Sequence, residues 1–366
     1  MWRYFLPTRV FSGSGVLKEN AGLLRETGTK AFIVTGRNSA RISGALDDLY
    51  EILKVIEIPH FLFDEVEENP SFDNVEAGKR ALLESECDFV IAIGGGSPLD
   101  AAKAMAVLAK NPELSCKELY GGSNLMALPV IAVPTTSGTG SEVTPYSILT
   151  DSNGIKKGFG MPSIFPVLAL LDPVYTLSMP WSITLATALD ALSHSLEGEI
   201  VNSAQNPLVK MLSKSATEII ARTLPLVREK QDDLILRERL QYSSMIAGMV
   251  IAHTGTTAVH AAGYPLSSFK GVKHGMANAM IIPSVFERIA LSSPDTVLNA
   301  IKPFDNLEEL RKFLDRFDIW RDKLDISDDE VLEWSTQSER AAHNKKTPGV
   351  FDRDFYINLY RELRGN

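Results

Sequence analysis

The sequence predicts an α/β domain built on a parallel sheet, followed by an all-helical domain, with the change near residue 180. Three observations predict it. Between residues 31 and 172, five short runs of strand-forming residues alternate with helical stretches, the pattern that builds a parallel sheet. Several of these runs are apolar throughout, as strands are when both faces are covered. Beyond residue 180 such runs nearly vanish and helical periodicity takes over.

Taken in order, RYFL (3–6) and RVFSG (9–13) are placed to form an edge hairpin. Strands are expected at 31–36, 60–65, 89–95, 129–135 and 167–172, with helices between them at 72–86 and 98–110. Pro180 and Ser182 close one unit and open another, and the run 182–201 begins the helical part. Further helices are expected at 206–229, 233–251, 275–291, 307–316, 328–340 and 353–364. The expected domains are therefore 1–180 and 181–366.

At 366 residues, 45% apolar and 23% charged, the chain has the composition of a globular enzyme. A net charge of −9 with no basic block argues against nucleic acid or an anionic membrane as partner. Cys87 and Cys116 form no disulfide framework, which points to a reducing compartment, the cytoplasm. The first residues do not read as a signal peptide, and no apolar run reaches the roughly 18 residues of a membrane span.

The helical half holds a pattern suited to a metal. Asp190 and His194 are four apart in a run of helix formers, so both side chains project from one face a turn apart. His260 and His274 follow, each near a glycine that can set its direction. One carboxylate and three imidazoles suit a divalent first-row metal such as iron or zinc. Any one of these residues alone would read as a surface or core residue. Three of only six histidines in one such pattern favour a shared ion.

The α/β half holds a pattern suited to a nucleotide. FVIAIGGGSPLDAAK runs from strand through Gly94, Gly95 and Gly96 into a helix, with Ser97 expected as N-cap and Pro98 as the first helical residue. Glycines admit a phosphate to the backbone, and the helix start favours its charge. Asp100 and Lys103 are either a surface ion pair or a pair facing the ligand. A second loop carries Thr135, Thr136, Thr139 and Ser141 among Gly138 and Gly140, and is expected to line the same site. After the first strand, Gly36 stands where dinucleotide folds often place an acid that binds the ribose hydroxyls, and Arg37, Asn38, Ser39 and Arg41 follow. The missing carboxylate beside guanidinium groups favours NADP over NAD.

Together, ENPSFDNV, GGGSPLDAAK, PTTSGTGSE, LLDPVYT, DALSHSLE and KHGMANAM resemble the iron-containing (group III) alcohol dehydrogenase family, along nearly the whole chain and in family order. The resemblance implies a Rossmann-like dinucleotide-binding domain, a helical metal domain, and an active site in the cleft between them, an architecture shared with dehydroquinate synthase. It implies metal ligands at Asp190, His194, His260 and His274. It implies a pyrophosphate loop at Gly94, Gly95, Gly96 and Ser97 with Asp100 nearby. Nucleotide contacts fall on Thr135, Thr136, Thr139, Ser141 and Leu149, and Lys157 borders the nicotinamide. It also implies a homodimer or larger assembly. Tyr264 stands where many members have a second histidine that assists proton transfer, and Lys273 where proline is frequent.

The implied reaction is reversible hydride transfer between an alcohol or aldehyde and NADP. Iron is implied by the resemblance, and zinc is admitted by the ligand chemistry. The proton is expected to leave by Tyr264 or by His253, which on a continuous helix would share a face with His260 seven residues on. A zinc polyol dehydrogenase resembling glycerol dehydrogenase is the nearest alternative. A lyase acting on a phosphorylated sugar acid would need more cations than Lys157, Lys270 and Lys273 near the ligands. A non-catalytic sensor would be expected to have lost the glycine loop or a ligand.

Overall fold

Eight strands are present among the described residues: β1 (Arg9–Ser12), β2 (Ala31–Gly36), β3 (His60–Val66), β4 (Phe89–Gly94), β5 (Val130–Pro134), β6 (Tyr146–Thr150), β7 (Lys156–Gly160) and β8 (Leu168–Leu171). The structure, a computed structural model, describes residues 2–121, 124–201, 206–320 and 323–365. Six strands make one sheet in the order β1-β8-β5-β4-β2-β3, every pairing parallel. Alternate residues of the central strands feed two separate cores. Phe32 and Val34 of β2, with Val90 and Ala92 of β4, join one core, while Ile33, Ile91 and Ile93 join the other. Burial on both faces is what the uninterrupted apolar runs demand.

The strands expected at 60–65, 89–95, 129–135 and 167–172 form within a residue or two of those bounds. The N-terminal hairpin does not form. Arg3–Leu6 has no regular structure, and β1 instead lies parallel to β8, Arg9 opposite Leu168. Edge placement leaves β1 only one row of partners, so four residues suffice. An antiparallel pair, β6 with β7, was not expected from the sequence, its glycines and lysines masking the strand signal.

Contacts divide the chain into two compact units. One comprises Phe5–Pro180 and Glu229–Gly248; the other comprises Met1–Tyr4, Trp181–Arg228 and Met249–Asn366. All six strands of the large sheet lie in the first. The second is helical, and its helices Trp181–Ile200, Ala258–Phe269 and His274–Ala290 carry the predicted ligands. Among the described residues, no helix is long and apolar enough to cross a membrane.

Candidate metal and nucleotide sites

The Trp181–Ile200 helix is buried along almost its whole length, including Asp190 and His194 on one face. His260 sits in the first turn of the helix Ala258–Phe269, and His274 opens the helix His274–Ala290. Three separate helices thus deliver four side chains. Asp190 Oδ1 lies 3.7 Å from His194 Nε2, 3.9 Å from His260 Nε2 and 3.7 Å from His274 Nε2. The ligand atoms of Asp190, His260 and His274 all lie within 4.8 Å of one another. His194 stacks on His260 with ring centroids 5.1 Å apart. One carboxylate oxygen and imidazole nitrogens gathered this closely fit a divalent ion.

Gly275 makes that gathering possible. A Cβ there would lie 1.9 Å from the Ala186 carbonyl oxygen and 2.6 Å from the Asp190 nitrogen, so the two helices approach only because residue 275 has no side chain. Asp190, His194 and His260 are buried, whereas the His274 side chain keeps 30% of its exposure. Access to the cluster is therefore from the His274 side.

Electrostatics agree with this chemistry. Burial holds His260 well below the usual histidine range, with His194 adding to the effect, so it is neutral and can ligate. Burial would raise the Asp190 carboxyl, but the three histidines and the Asn278 amide outweigh it and leave it lowered. Asn278 Nδ2 lies 3.2 Å from Asp190 Oδ1, 3.2 Å from His260 Nε2 and 3.3 Å from His274 Nε2.

Two residues escaped sequence reasoning. Asn278 lies four after His274, and Glu197 lies seven after Asp190, so each shares a helix face with a candidate ligand. Both stand inside runs that had already been singled out, KHGMANAM and DALSHSLE; the face spacing was the signal. His343 also comes near, its ring 6.1 Å from that of Tyr264.

The proton-route residues separate. The Tyr264 ring stacks on His274 at 5.5 Å and meets His260 edge-on at 6.2 Å. His253 lies on a different helix from His260, since Leu234–Thr254 ends before Ala258–Phe269 begins. The premise of one continuous helix fails because Gly255, at φ 65°, breaks it. The His253 ring stacks on Tyr4 at 4.3 Å instead. Lys157 pairs with Asp151 at 2.9 Å and belongs to the unit that does not carry the candidate ligands.

In the first unit, β4 runs into the helix Gly96–Lys110 through Gly94 at φ 148°. The N-cap is Gly95, not Ser97; the helix begins two residues earlier than expected, and Ser97 Oγ instead accepts the Asn69 N–H at 3.1 Å. A Cβ on Gly96 would come 2.8 Å from Thr139 Cγ2, and one on Gly95 3.2 Å from Thr136 Cγ2. The two predicted loops therefore meet, and side-chain-free backbone at a helix start fits a pyrophosphate. Gly95, Gly96, Ser97, Thr136 and Thr139 keep some exposure there.

Other candidates in this unit have side chains engaged within the fold. Lys103 is fully buried, not a surface partner of Asp100. Its ammonium reaches the Ser141 carbonyl and hydroxyl, both at 2.7 Å, the Tyr146 carbonyl at 2.8 Å and the Thr144 carbonyl at 3.1 Å. Asp100 accepts the Ser141 hydroxyl at 2.6 Å and the Ile148 N–H at 2.9 Å. Asp100 and Ser141 thus clasp the loop to the helix, leaving neither free side chain for a nucleotide. Thr135 is buried, its N–H donating to the Gly94 carbonyl at 2.9 Å. Leu149 is wholly inside an apolar core, so its side chain has no surface to offer. Beside this helix start, where a Cβ on Gly36 would lie 3.8 Å from Pro98 Cγ, Gly36 keeps some exposure, Arg37 and Asn38 are exposed, and Arg41 is paired with Asp64 at 3.1 Å.

Comparison with known proteins gives a consistent result. Residues 7–173 match the family described as iron-containing alcohol dehydrogenase, and residues 184–311 match the Fe-containing alcohol dehydrogenase family, C-terminal. The NADPH-dependent butanol dehydrogenase of Clostridium saccharobutylicum is 32% identical over 292 residues, 78% of this chain and 74% of that one. Among solved structures, an iron-containing alcohol dehydrogenase of Thermotoga maritima is 42% identical, with a TM-score of 0.93 over 100% of both chains. A sulfoacetaldehyde reductase of Bifidobacterium kashiwanohense, solved in complex with NAD+, is 26% identical, with a TM-score of 0.87 over 99% of this chain and 98% of that one.

Proposed function

The chain belongs to the iron-containing alcohol dehydrogenase family, and from that membership we propose that it interconverts a primary alcohol or diol and its aldehyde with NADP, using a divalent ion held by Asp190, His194, His260 and His274. The observation that carries the reading is the meeting of one carboxylate oxygen and imidazole nitrogens around a single point. Iron is the first choice because the family is named for it. Zinc, which lies above iron in the divalent affinity order, is expected to bind at least as well.

A bound divalent ion supplies Lewis acidity, lowering the pKa of an oxygen ligand by several units. Hydride transfer itself is the nicotinamide's chemistry. This chain's residues do the rest. Asp190 brings the negative charge that offsets the ion, and the neutral histidines complete the coordination. The 30% exposure of His274 leaves the substrate its approach. Tyr264, stacked on His274, is the side chain placed to pass the alcohol proton towards solvent. In the first unit, the N–H groups opening the helix at Gly96 bind the pyrophosphate, flanked by Thr136 and Thr139.

For the nucleotide, support for NADP lies in Gly36 and Arg37. No carboxylate at residue 36 repels a 2′-phosphate, and exposed Arg37 can pair with one. Arg41 is already engaged by Asp64, so Arg37 is the better candidate. The relatives' names point both ways, to NADPH in one case and NAD+ in another. A Cβ at residue 36 would lie 3.4 Å from the Val66 carbonyl, ordinary contact, so Gly36→Asp tests charge and not packing. It is expected to weaken NADPH at least ~10-fold relative to NADH, equivalent to ~1.4 kcal/mol. Equal loss for both nucleotides in steady-state kinetics would remove the preference.

Anaerobic loading with ferrous iron, then NADPH and a panel of short aldehydes from propanal to butanal, tests the reaction through the fall in nicotinamide absorbance. The variant His274→Ala is expected to lose metal and turnover while binding NADPH as before. Loss of nucleotide binding in the same variant would contradict separate binding units. No turnover across the panel by metal-loaded protein would refute the dehydrogenase reading.

A further inference from the structure

Glu197 lies two helical turns beyond Asp190, on the same helix face, and is fully buried. Its Oε2 is 2.5 Å from Nδ1 of His260. Its Oε1 accepts both the backbone N–H of Thr257, at 2.7 Å, and the Thr257 hydroxyl, at 2.6 Å. Thr257 is the N-cap of the helix that carries His260. One carboxylate therefore grips both the histidine ring and the residue from which its helix starts.

Among the described residues, no lysine or arginine forms an ion pair with Glu197. Burying a carboxylate without a cation is costly. Burial does raise its carboxyl, with the Thr257 hydrogen bonds pulling the other way. A divalent ion at the histidine cluster would bring positive charge next to Asp190 and Glu197.

The ring's proton can be placed from the Glu197 side. A carboxylate only accepts, so His260 Nδ1 facing Glu197 must carry the hydrogen. On the opposite edge, Asn278 Nδ2 only donates, and His260 Nε2, 3.2 Å away, is one of four acceptors around its two hydrogens, with Asp190 Oδ1, Ser193 Oγ and His274 Nε2. The amide cannot be reversed, because the same nitrogen faces the Asp190 carboxylate at 3.2 Å. Glu197 selects the Nδ1–H tautomer and Asn278 is compatible with it, leaving a lone pair on Nε2 facing the other candidate ligands.

We propose that Glu197 is a positioning residue that holds His260 in its Nδ1–H tautomer, with Nε2 directed at the metal, and ties that ring to the start of its own helix through Thr257. The proposal rests on the metal reading given above. A carboxylate–imidazole–metal relay of this kind raises ligand basicity and fixes ring direction, and its loss typically costs about 10–100-fold in metal affinity.

Glu197→Gln keeps the size of the side chain but has a single acceptor oxygen. It cannot accept from His260 and from the Thr257 N–H together. Titrating metal-free protein with Co2+ reads affinity and, through the visible d–d bands, ligand geometry. The variant is expected to bind Co2+ about 10–100-fold more weakly with shifted bands, and NADPH as tightly as the unsubstituted protein. Unchanged Co2+ affinity and bands would overturn the proposal. Should the variant fail to fold, the unsubstituted protein decides. With only six histidines, 15N-labelled rings can be resolved by NMR in the metal-free state. An Nδ1–H tautomer at His260 supports the proposal, and an Nε2–H tautomer refutes it. Absence of Co2+ binding by the unsubstituted protein would remove the metal reading, and this inference with it. Tight binding by both proteins would remove only the role of Glu197.

Discussion

Gly275 shows how much of the candidate metal site rests on a missing atom. Alanine at this position would drive its Cβ into the Ala186 carbonyl and the Asp190 backbone, neither of which is the flexible end of a side chain. Gly275→Ala is expected to cost at least 1–3 kcal/mol, roughly the range for overpacking. It should also separate His274 from Asp190. Thermal melts and metal content measured together check this, and wild-type values in both would contradict the account. The four candidate ligands were legible in the sequence because histidine is scarce and the Asp190–His194 spacing is helical. Glu197 was not, because a glutamate in a helix normally faces water and only packing reveals that this one does not. Lys103 misled for the same reason: a lysine three residues from an aspartate looks like a surface pair until its five oxygen neighbours are seen.

At the level of elements, the helix carrying His260 was missed and a hairpin was wrongly expected. The segment Ala258–Phe269 contains Gly263 and Pro265, both helix breakers by propensity, and packing against the helix His274–Ala290 overrides them. The loop 135–145 stood out in the sequence by its hydroxyls, but its internal clasp did not. Glu142, buried next to Ser141 in the same loop, makes a pH prediction. Burial lifts the Glu142 carboxyl to about 7, from an ordinary value of 4.5. Between those two values the native state holds a proton that the unfolded state has released. Stability therefore falls as pH rises through this window, and the whole cost is present above about 7. Glu142→Gln has no such group to titrate. It should be more stable than the unsubstituted protein at pH 8 by up to roughly 3 kcal/mol, at ~1.4 kcal/mol per pKa unit, with the advantage gone by about pH 4. Urea melts across that range check it; a gap that does not change with pH would assign the effect to packing alone.

For the whole molecule, alternation of strand and helix followed by helix alone was enough to fix the class of architecture, because hydrophobic period is a property of long segments. It was not enough to find which segments pack together. Residues 229–248 read as ordinary members of the helical half, yet they belong with the sheet unit. Arg237 Nη2 donates to the Met179 carbonyl at 3.3 Å, and Gln241 Nε2 to that of Asp172 at 3.4 Å. Such pairings join residues about 60 to 70 apart in sequence, and no local pattern encodes them.

The backbones of Gly140 and Gly248 press together so tightly that a Cβ on residue 140 would lie 2.3 Å from Gly248 Cα. The hydroxyl-rich loop thus leans on a segment translated more than a hundred residues later. Cutting the gene at codon 180 would not yield two portable cassettes: the front piece would lose its buttress, and the back piece would inherit an orphaned stretch with nothing to cover it. Chimeras with related enzymes should therefore be spliced so that residues 229–248 travel with the front half.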